Sequence, residues 1–258
     1  MGDRVKTQPT NVGLAYQPSV EAILKTQPDL ILAPDLDVNQ YQALTQIAPT
    51  LSFEIRGGET NLQAIAQALN RSDLAQQLMA QIQQKTRAAQ TEFKSVVADY
   101  PKVLTLSSAD AQSYTLISHK NSFCGSFLED LGLQFVYPKG LKPQDLSAEQ
   151  PPTLSIETLP QLDAADSIIL FGYDFNPEGS DTEFNRHQLG PLKQAWQKNE
   201  VAQSLKASKA GRVYFIPAYL CLGLPGPIGT ELYLNELKQQ LLNPQARAQK
   251  NASQTQNR

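Results

Sequence analysis

Histidine, cysteine and tryptophan are all scarce in this chain: its 258 residues include two histidines, two cysteines and one tryptophan. His119 and His187 stand far apart with no His-Glu-x-x-His spacing, so a histidine-rich metal centre is excluded. Cys124 and Cys221 lack Cys-x-x-Cys spacing, which excludes a zinc ribbon and a multi-bridge disulfide framework. A single bridge between them is open to an oxidising compartment, but two free, partly buried thiols are the expected state. Long apolar runs are also missing. Ser167 to Tyr173 and Tyr214 to Leu224 are the longest, and they are too short or too broken by proline and glycine to span a bilayer. Met1 to Thr10 is polar, without the apolar core of a signal peptide. Basic clusters are absent as well, and a net charge of −3 argues against nucleic acid as a partner. The remaining composition, 41% apolar and 18% charged, is that of a globular domain with a real core.

Catalytic signatures are missing too. There is no Gly-x-Ser-x-Gly elbow and no phosphate-binding glycine loop, and with two histidines no convincing Ser/His/Asp set. Leu224-Pro225-Gly226-Pro227 has proline where an elbow needs its nucleophile. No catalytic residue is assigned and no enzyme is expected. A metal-dependent or nucleophile-based α/β hydrolase is the alternative from another class, to be revived by turnover of esters or phosphoesters.

What is present is one pattern used twice. Pro18 to Leu32 and Leu154 to Leu170 each run Ser-x-Glu, a short amphipathic turn, an Asp, then an apolar strand. Ser19 and Ser155 can cap helix starts, and Glu21 and Glu157 sit where the helix dipole favours a carboxylate. Val20, Ile23 and Leu24 repeat at helical spacing, so Glu21 should face away from them into solvent. Pro160 falls early in the second copy, so that helix should start later than Ser155, leaving the direction of Glu157 less fixed.

The rest of the chain alternates in the same way. Strands are expected at Leu30 to Ala33, Thr50 to Ile55, Lys102 to Ser107 and Val213 to Ile216, with a hairpin around Asp110 to Ser118. Helices are expected over Asn39 to Ile47, Ser122 to Leu131 and Gly229 to Leu242. From Asn61 to Tyr100 helix breakers are almost absent, and residues 72 to 99 alone reach about 40 Å as one helix. Its place between two α/β segments suits a rigid strut. Asp174 to Gly190 reads as a polar loop and Gln245 to Arg258 as a disordered tail.

Taken in order, these pieces resemble the substrate-binding proteins of ferric siderophore and cobalamin ABC importers. The resemblance runs from Val12 to Leu242. It is carried by Pro-Ser-Val-Glu-Ala-Ile and Pro-Asp-Leu-Ile-Leu, by Leu-x-x-Ile-Ala-x-x-Leu-Asn-Arg at 62 to 71, by Asn-Ser-Phe-Cys-Gly-Ser-Phe-Leu-Glu-Asp-Leu-Gly at 121 to 132, and by Ala-Gly-Arg-Val-Tyr-Phe-Ile-Pro at 210 to 217. It implies an α/β fold of two Rossmann-like lobes joined by a single long helix, with the ligand cleft between the lobes. The expected organisation is an amino-terminal lobe over 1–70, the helix over 71–100, a carboxyl-terminal lobe over 101–244 and the tail over 245–258. Members of this class carry a signal sequence and the first strands and helix ahead of the Val-Gly segment. Here only Met1 to Asn11 precede Val12, so the first lobe is expected to be incomplete, with an unpaired sheet edge.

The resemblance also assigns roles. Glu21 and Glu157 fall in the motifs that engage arginines of a membrane permease, although acids at helix starts are common without any such role. A ferric siderophore is a bulky chelate that needs aromatic walls and one or two arginines. Tyr16, Arg56, Tyr114, Phe123, Tyr173, Trp196 and Tyr219 are the expected ligand contacts, with Trp196 and Tyr219 foremost. Asn121, Arg186 and His187 are secondary candidates for polar contacts. No tyrosine–histidine–carboxylate cluster is legible, so the ligand is expected to be a preformed ferric chelate of hydroxamate or citrate-hydroxamate type, with no cofactor and no protein-bound metal. Cobalamin or haem is the alternative within the same fold, and haem is disfavoured by the absence of a recognisable axial-ligand motif. The implied partners are the chelate and a permease dimer, the chain itself being a monomer on the periplasmic side, soluble or membrane-anchored.

Overall fold

Polar caps and short apolar strands set the first third of the chain. The computed structural model describes residues 9–14, 17–54, 58–109, 112–118, 122–142, 146, 151–174, 181–222 and 226–242, with the backbone alone for 181–187. The chain divides into two compact units, Met1–Met79 and Ala80–Arg258.

In the first unit, β1 (Gly13–Leu14) pairs antiparallel with β2 (Gln17–Pro18). Gly13 has φ +99°, and a Cβ there would lie 2.9 Å from both the Gln17 carbonyl oxygen and the Ser19 nitrogen, so only glycine fits. Ser19 then caps α1 (Val20–Thr26), its hydroxyl accepting from the Ala22 N–H at 3.2 Å. After β3 (Ile31–Pro34) comes α2 (Val38–Thr45), opened by a reciprocal capping box. The Gln40 N–H donates to the Asp37 carboxylate at 2.8 Å, and the Asp37 N–H donates to the Gln40 side chain at 3.1 Å. β4 (Thr50–Phe53) lies parallel to β3, completing a strand–helix–strand unit, and α3 (Gly58–Ala68) follows. Ile23, Ile31, Leu44 and Ala48 form the buried core of this unit.

The apolar stripe of α1 is only partly covered, while Glu21 faces solvent as its spacing predicts. Of its apolar residues, Ile23 is buried, whereas Val20 and Leu24 are 43% and 58% exposed. The β3–β4 sheet has two strands and each leaves an edge unpaired among the described residues, so it covers one residue of the helix stripe rather than three.

Helix α4 (Ser72–Asp99) runs 28 residues, about 40 Å, and the division between the units falls within it. Towards its end Ala89 and Phe93, one turn apart, are fully buried in the second unit.

The second unit is built on β5 (Lys102–Ser108). It continues through β6 (Ser113–Leu116), α5 (Phe123–Asp130), β7 (Gln134–Phe135), β8 (Thr153–Ser155), a 3-10 segment (Ile156–Leu162), β9 (Ser167–Gly172), α6 (Asp181–Lys198), α7 (Glu200–Ser204), α8 (Lys206–Lys209), β10 (Val213–Pro217), a 3-10 turn (Ala218–Leu220) and α9 (Pro227–Leu237), which ends in a π turn (Lys238–Leu242). The sheet order is β10-β9-β5-β6-β8, with β7 beside the start of β5. β5, β9 and β10 are mutually parallel, and every residue of β9 is buried, as expected of a central strand covered on both faces. Strand alternation sends Ile169 and Phe171 into one core, with Phe93, Phe127 and Tyr233, and Ile168 and Leu170 into the other, with Leu104, Leu116 and Trp196.

Three expectations change. The second Ser-x-Glu copy forms the 3-10 segment rather than an α-helix, because Pro160 has no N–H to continue an α ladder; the segment starts at Ile156, directly after Ser155, which makes no side-chain cap bond. The polar stretch read as a loop over 174–190 becomes helical from Asp181, and Leu189, Leu192 and Trp196 give α6 a buried stripe. Gly172 admits this helix: a Cβ there would sit 2.7 Å from the Gln188 carbonyl oxygen and 2.8 Å from a Leu189 methyl. Cys124 and Cys221 are joined as a disulfide instead of standing free, their Cα atoms 5.2 Å apart across 97 residues of sequence. No spacing motif announces a pair that folding alone brings together.

Candidate functional site

Parallel strands in open α/β sheets present their carboxyl ends to ligands, and in the second unit those ends carry aromatic rings. Tyr173 follows β9 directly and Tyr219 lies two residues beyond β10, inside the 3-10 turn. Phe123 opens α5, whose start is drawn to the same end of the sheet by the disulfide between the next residue, Cys124, and Cys221. All three rings are half-buried and pack on one core cluster, the one that holds both cysteines, Phe171 and Tyr233. Partly exposed rings resting on a packed core are what a ligand wall requires.

Several bonds hold this rim in place. The Ser122 hydroxyl caps α5 by accepting from the Gly125 N–H at 3.0 Å. Behind the rings, the buried Tyr233 hydroxyl donates to the Cys124 carbonyl at 3.2 Å, and burial pushes the Tyr233 phenol well above its ordinary pKa. Beyond Tyr173 the chain is clamped twice by Gln188, which accepts from the Asp174 N–H at 2.9 Å and donates to the Asp174 carbonyl at 2.7 Å. The Cys221 and Leu222 N–H groups both donate to the Ala218 carbonyl, closing the turn that carries Tyr219. At the other end of α5, burial and then the nearby Glu129 raise the Asp130 carboxyl and push the Tyr137 phenol up to about 12.

The remaining sequence candidates fall elsewhere. Tyr114 and Trp196 are 1% and 2% exposed, packed edge-on with ring centroids 5.8 Å apart in the other core cluster. The Trp196 indole donates to the Ser208 hydroxyl at 3.3 Å, so its polar handle is used internally. Both are core residues in this structure, because the stripe that makes α6 a helix is the one that buries Trp196. A cavity of about 150 Å³ lies beside Trp196 on the β10 side, lined by Lys193, Gln203, Ser208 and Phe215, with the Lys193 ammonium 5.7 Å from the Phe215 ring centre. Tyr16, Arg56 and Asn121 lie outside the described residues, as do the side chains of Arg186 and His187. Among the described residues, no group of three His, Cys, Asp or Glu could hold a metal ion.

Glu21 lies in the first turn of α1 and pairs with Lys25 at 2.8 Å, the two side chains 79% and 73% exposed. So open an ion pair contributes little and leaves the carboxylate available to other cations. Glu157 is likewise exposed, in the 3-10 segment of the other unit. Both sequence copies therefore present an acid to solvent, though on unlike local frames. The cysteine bridge, left open in the sequence but weighed below two free thiols, is the feature the structure adds to this rim: Cys124 directly follows one chosen ring and Cys221 stands two residues after another.

With this fold and rim in place, the chain belongs to the periplasmic binding protein family, whose sequence pattern matches residues 2–220. It is similar to a probable siderophore-binding lipoprotein of Bacillus subtilis, YfiY, with 27% identity over 212 residues that cover 79% of this chain and 60% of that protein. It is similar also to the Fe(3+)-citrate-binding protein YfmC of the same organism, 27% identical over 211 residues covering 80% of this chain and 58% of that protein. The chain thus spans about six-tenths of the length of these curated relatives. Among solved structures, a periplasmic solute binding protein from Mycobacterium smegmatis matches with a TM-score of 0.68 and 21% identity, covering 94% of this chain and 78% of that one. The likeness establishes the two-lobed α/β fold. Among the described residues, no helix is long and apolar enough to cross a membrane.

Proposed function

We propose that this chain is the substrate-binding component of an ABC importer, a non-enzymatic carrier that captures a preformed ferric siderophore and delivers it to a membrane permease. The observation that carries the reading is the trio Phe123, Tyr173 and Tyr219, half-buried at the carboxyl ends of parallel strands in a member of the periplasmic binding protein family. Aromatic faces suit the apolar flank of a chelate, and the names of the two Bacillus relatives, a siderophore binder and a ferric citrate binder, point to the same ligand class. The iron arrives already coordinated, so the protein supplies walls and charge rather than metal ligands. A hydroxamate or citrate-hydroxamate chelate fits this reading best, with the Phe123, Tyr173 and Tyr219 rings as its wall in the second unit.

Delivery follows from Glu21 and Glu157. One exposed acid on each lobe, paired with arginines of a permease dimer, orients a monomeric carrier over the pore and discriminates against misdocking. The compartment is the periplasmic side, with the chain free or membrane-anchored, and the Cys124–Cys221 bridge suits that oxidising setting.

Fluorescence of the single tryptophan, Trp196, tests the reading. Saturable quenching by a ferric trishydroxamate or ferric citrate-hydroxamate chelate, with no response to haemin or cobalamin, is the expected result. Saturable binding of haemin or cobalamin alone would overturn it.

A further inference from the structure

We propose that the Cys124–Cys221 disulfide is a positioning staple for the ligand wall, holding the Phe123 and Tyr219 rings in the arrangement that the chelate meets. This rests on the reading of Phe123, Tyr173 and Tyr219 as that wall. Both cysteines are buried, and each lies in a segment that carries one of the rings: Cys124 follows Phe123 in the first turn of α5, and Cys221 follows the 3-10 turn that holds Tyr219. The disulfide is therefore a covalent tie between two segments that sequence separates by 97 residues.

The other bonds described for these segments act differently. The Ser122 cap stays within α5, and the bonds to the Ala218 carbonyl stay within the turn. The Tyr233 hydroxyl ties α5 to α9. None of these spans from α5 to the turn. The strands beneath need no such tie, since β5, β9 and β10 are already fixed by continuous parallel registers and by buried side chains on both faces. Loops at strand ends belong to the least stable part of a fold, and the cost of ordering them is charged against binding. A bond that ties such a strand-end turn to the start of α5 therefore acts on affinity as well as on folding.

The test compares the oxidised chain with the Cys124→Ala/Cys221→Ala variant, using ferric citrate, a ferric trishydroxamate and a ferric triscatecholate as probes. The expected result is binding about tenfold weaker in the variant at a temperature where both are fully folded. Amide exchange should quicken at 122–126 and 218–222 while β5 and β9 stay protected. As a control, Phe93→Leu, a core change elsewhere in the same cluster, should lower stability and leave affinity unchanged. A second measurement needs no variant: a saturating chelate should shift the equilibrium between the wild-type bridge and dithiothreitol, which is oxidised to its cyclic disulfide as two protein thiols form, about tenfold toward the intact bridge, because coupling between two equilibria is reciprocal.

Equal affinities in the two proteins would overturn the proposal. So would exchange that is unchanged or raised uniformly through the second unit, or a double variant that no longer folds, since the bridge would then serve the whole fold. If the oxidised chain binds none of the three probes, the siderophore reading fails for those chelates, and the exchange pattern alone decides whether the bridge holds the rim.

Discussion

The hydroxyl of Tyr233 donates to the carbonyl of Cys124 across 109 residues of sequence, joining α9 to the first turn of α5 inside the core. The phenol is fully buried, and burial raises its pKa well above the ordinary 10.0. A folded pKa above the unfolded one means that this stability is fully present below pH 10 and is lost as pH climbs beyond it. The Tyr137 phenol, pushed up to about 12, adds to the loss over the window from 10.0 to 12. Urea unfolding from pH 8 to 11 should show stability falling above pH 10. Tyr233→Phe should cost about 1 kcal/mol at neutral pH and flatten the alkaline fall.

Trp196 and Tyr219 should respond oppositely to truncation. Trp196→Ala empties a buried site against Tyr114 and should lower stability by about 3–5 kcal/mol. Tyr219→Ala removes a half-exposed ring and should weaken chelate binding about tenfold with a much smaller change in melting temperature. Calorimetric melting and chelate titration of both variants check the contrast.

Glu21 and Glu157 should matter for transport and not for binding. The Glu21–Lys25 pair is open to solvent, so Glu21→Ala should change stability by no more than about 0.5 kcal/mol. Chelate affinity should stay at the wild-type value in Glu21→Arg/Glu157→Arg, while uptake of the iron-loaded chelate by cells or permease-containing vesicles should drop at least about tenfold through like-charge repulsion at the permease. Uptake at the wild-type rate would remove the docking role.

Much of the fold was legible because its strands are short apolar runs with clear stops. The apolar end of the second Ser-x-Glu copy and Val213 to Ile216 read as buried strands, and the Ser19 cap marks a true helix start, whereas the Asp37 capping box opens α2 ahead of the Asn39 expected from the sequence. The start of α6 was hidden by its polar first turns and by Gly190-Pro191, which look like a break, although Leu189, Leu192 and Trp196 at helical spacing carry the contrary signal. That spacing also marks Trp196 as core, and an aromatic on a buried stripe seldom meets a ligand. Tyr173 and Tyr219 could be placed near strand ends from the sequence because one directly trails β9 and the other follows β10 by two residues. Which sheet face Tyr114 would take could not be read, because a one-residue shift of register reverses it. The twin Ser-x-Glu copies look alike on paper, and a single proline, Pro160, makes one an α-helix and the other a 3-10 segment.

Capture of an intact ferric chelate is tested most directly by calorimetric titration of the oxidised chain with a ferric trishydroxamate, the same ligand without iron, and a simple ferric salt. The account predicts saturable one-to-one binding of the loaded chelate, with the iron-free ligand at least about tenfold weaker and the salt showing no specific site. Tight, saturable binding of the ferric salt alone, with none of the chelate, would contradict it.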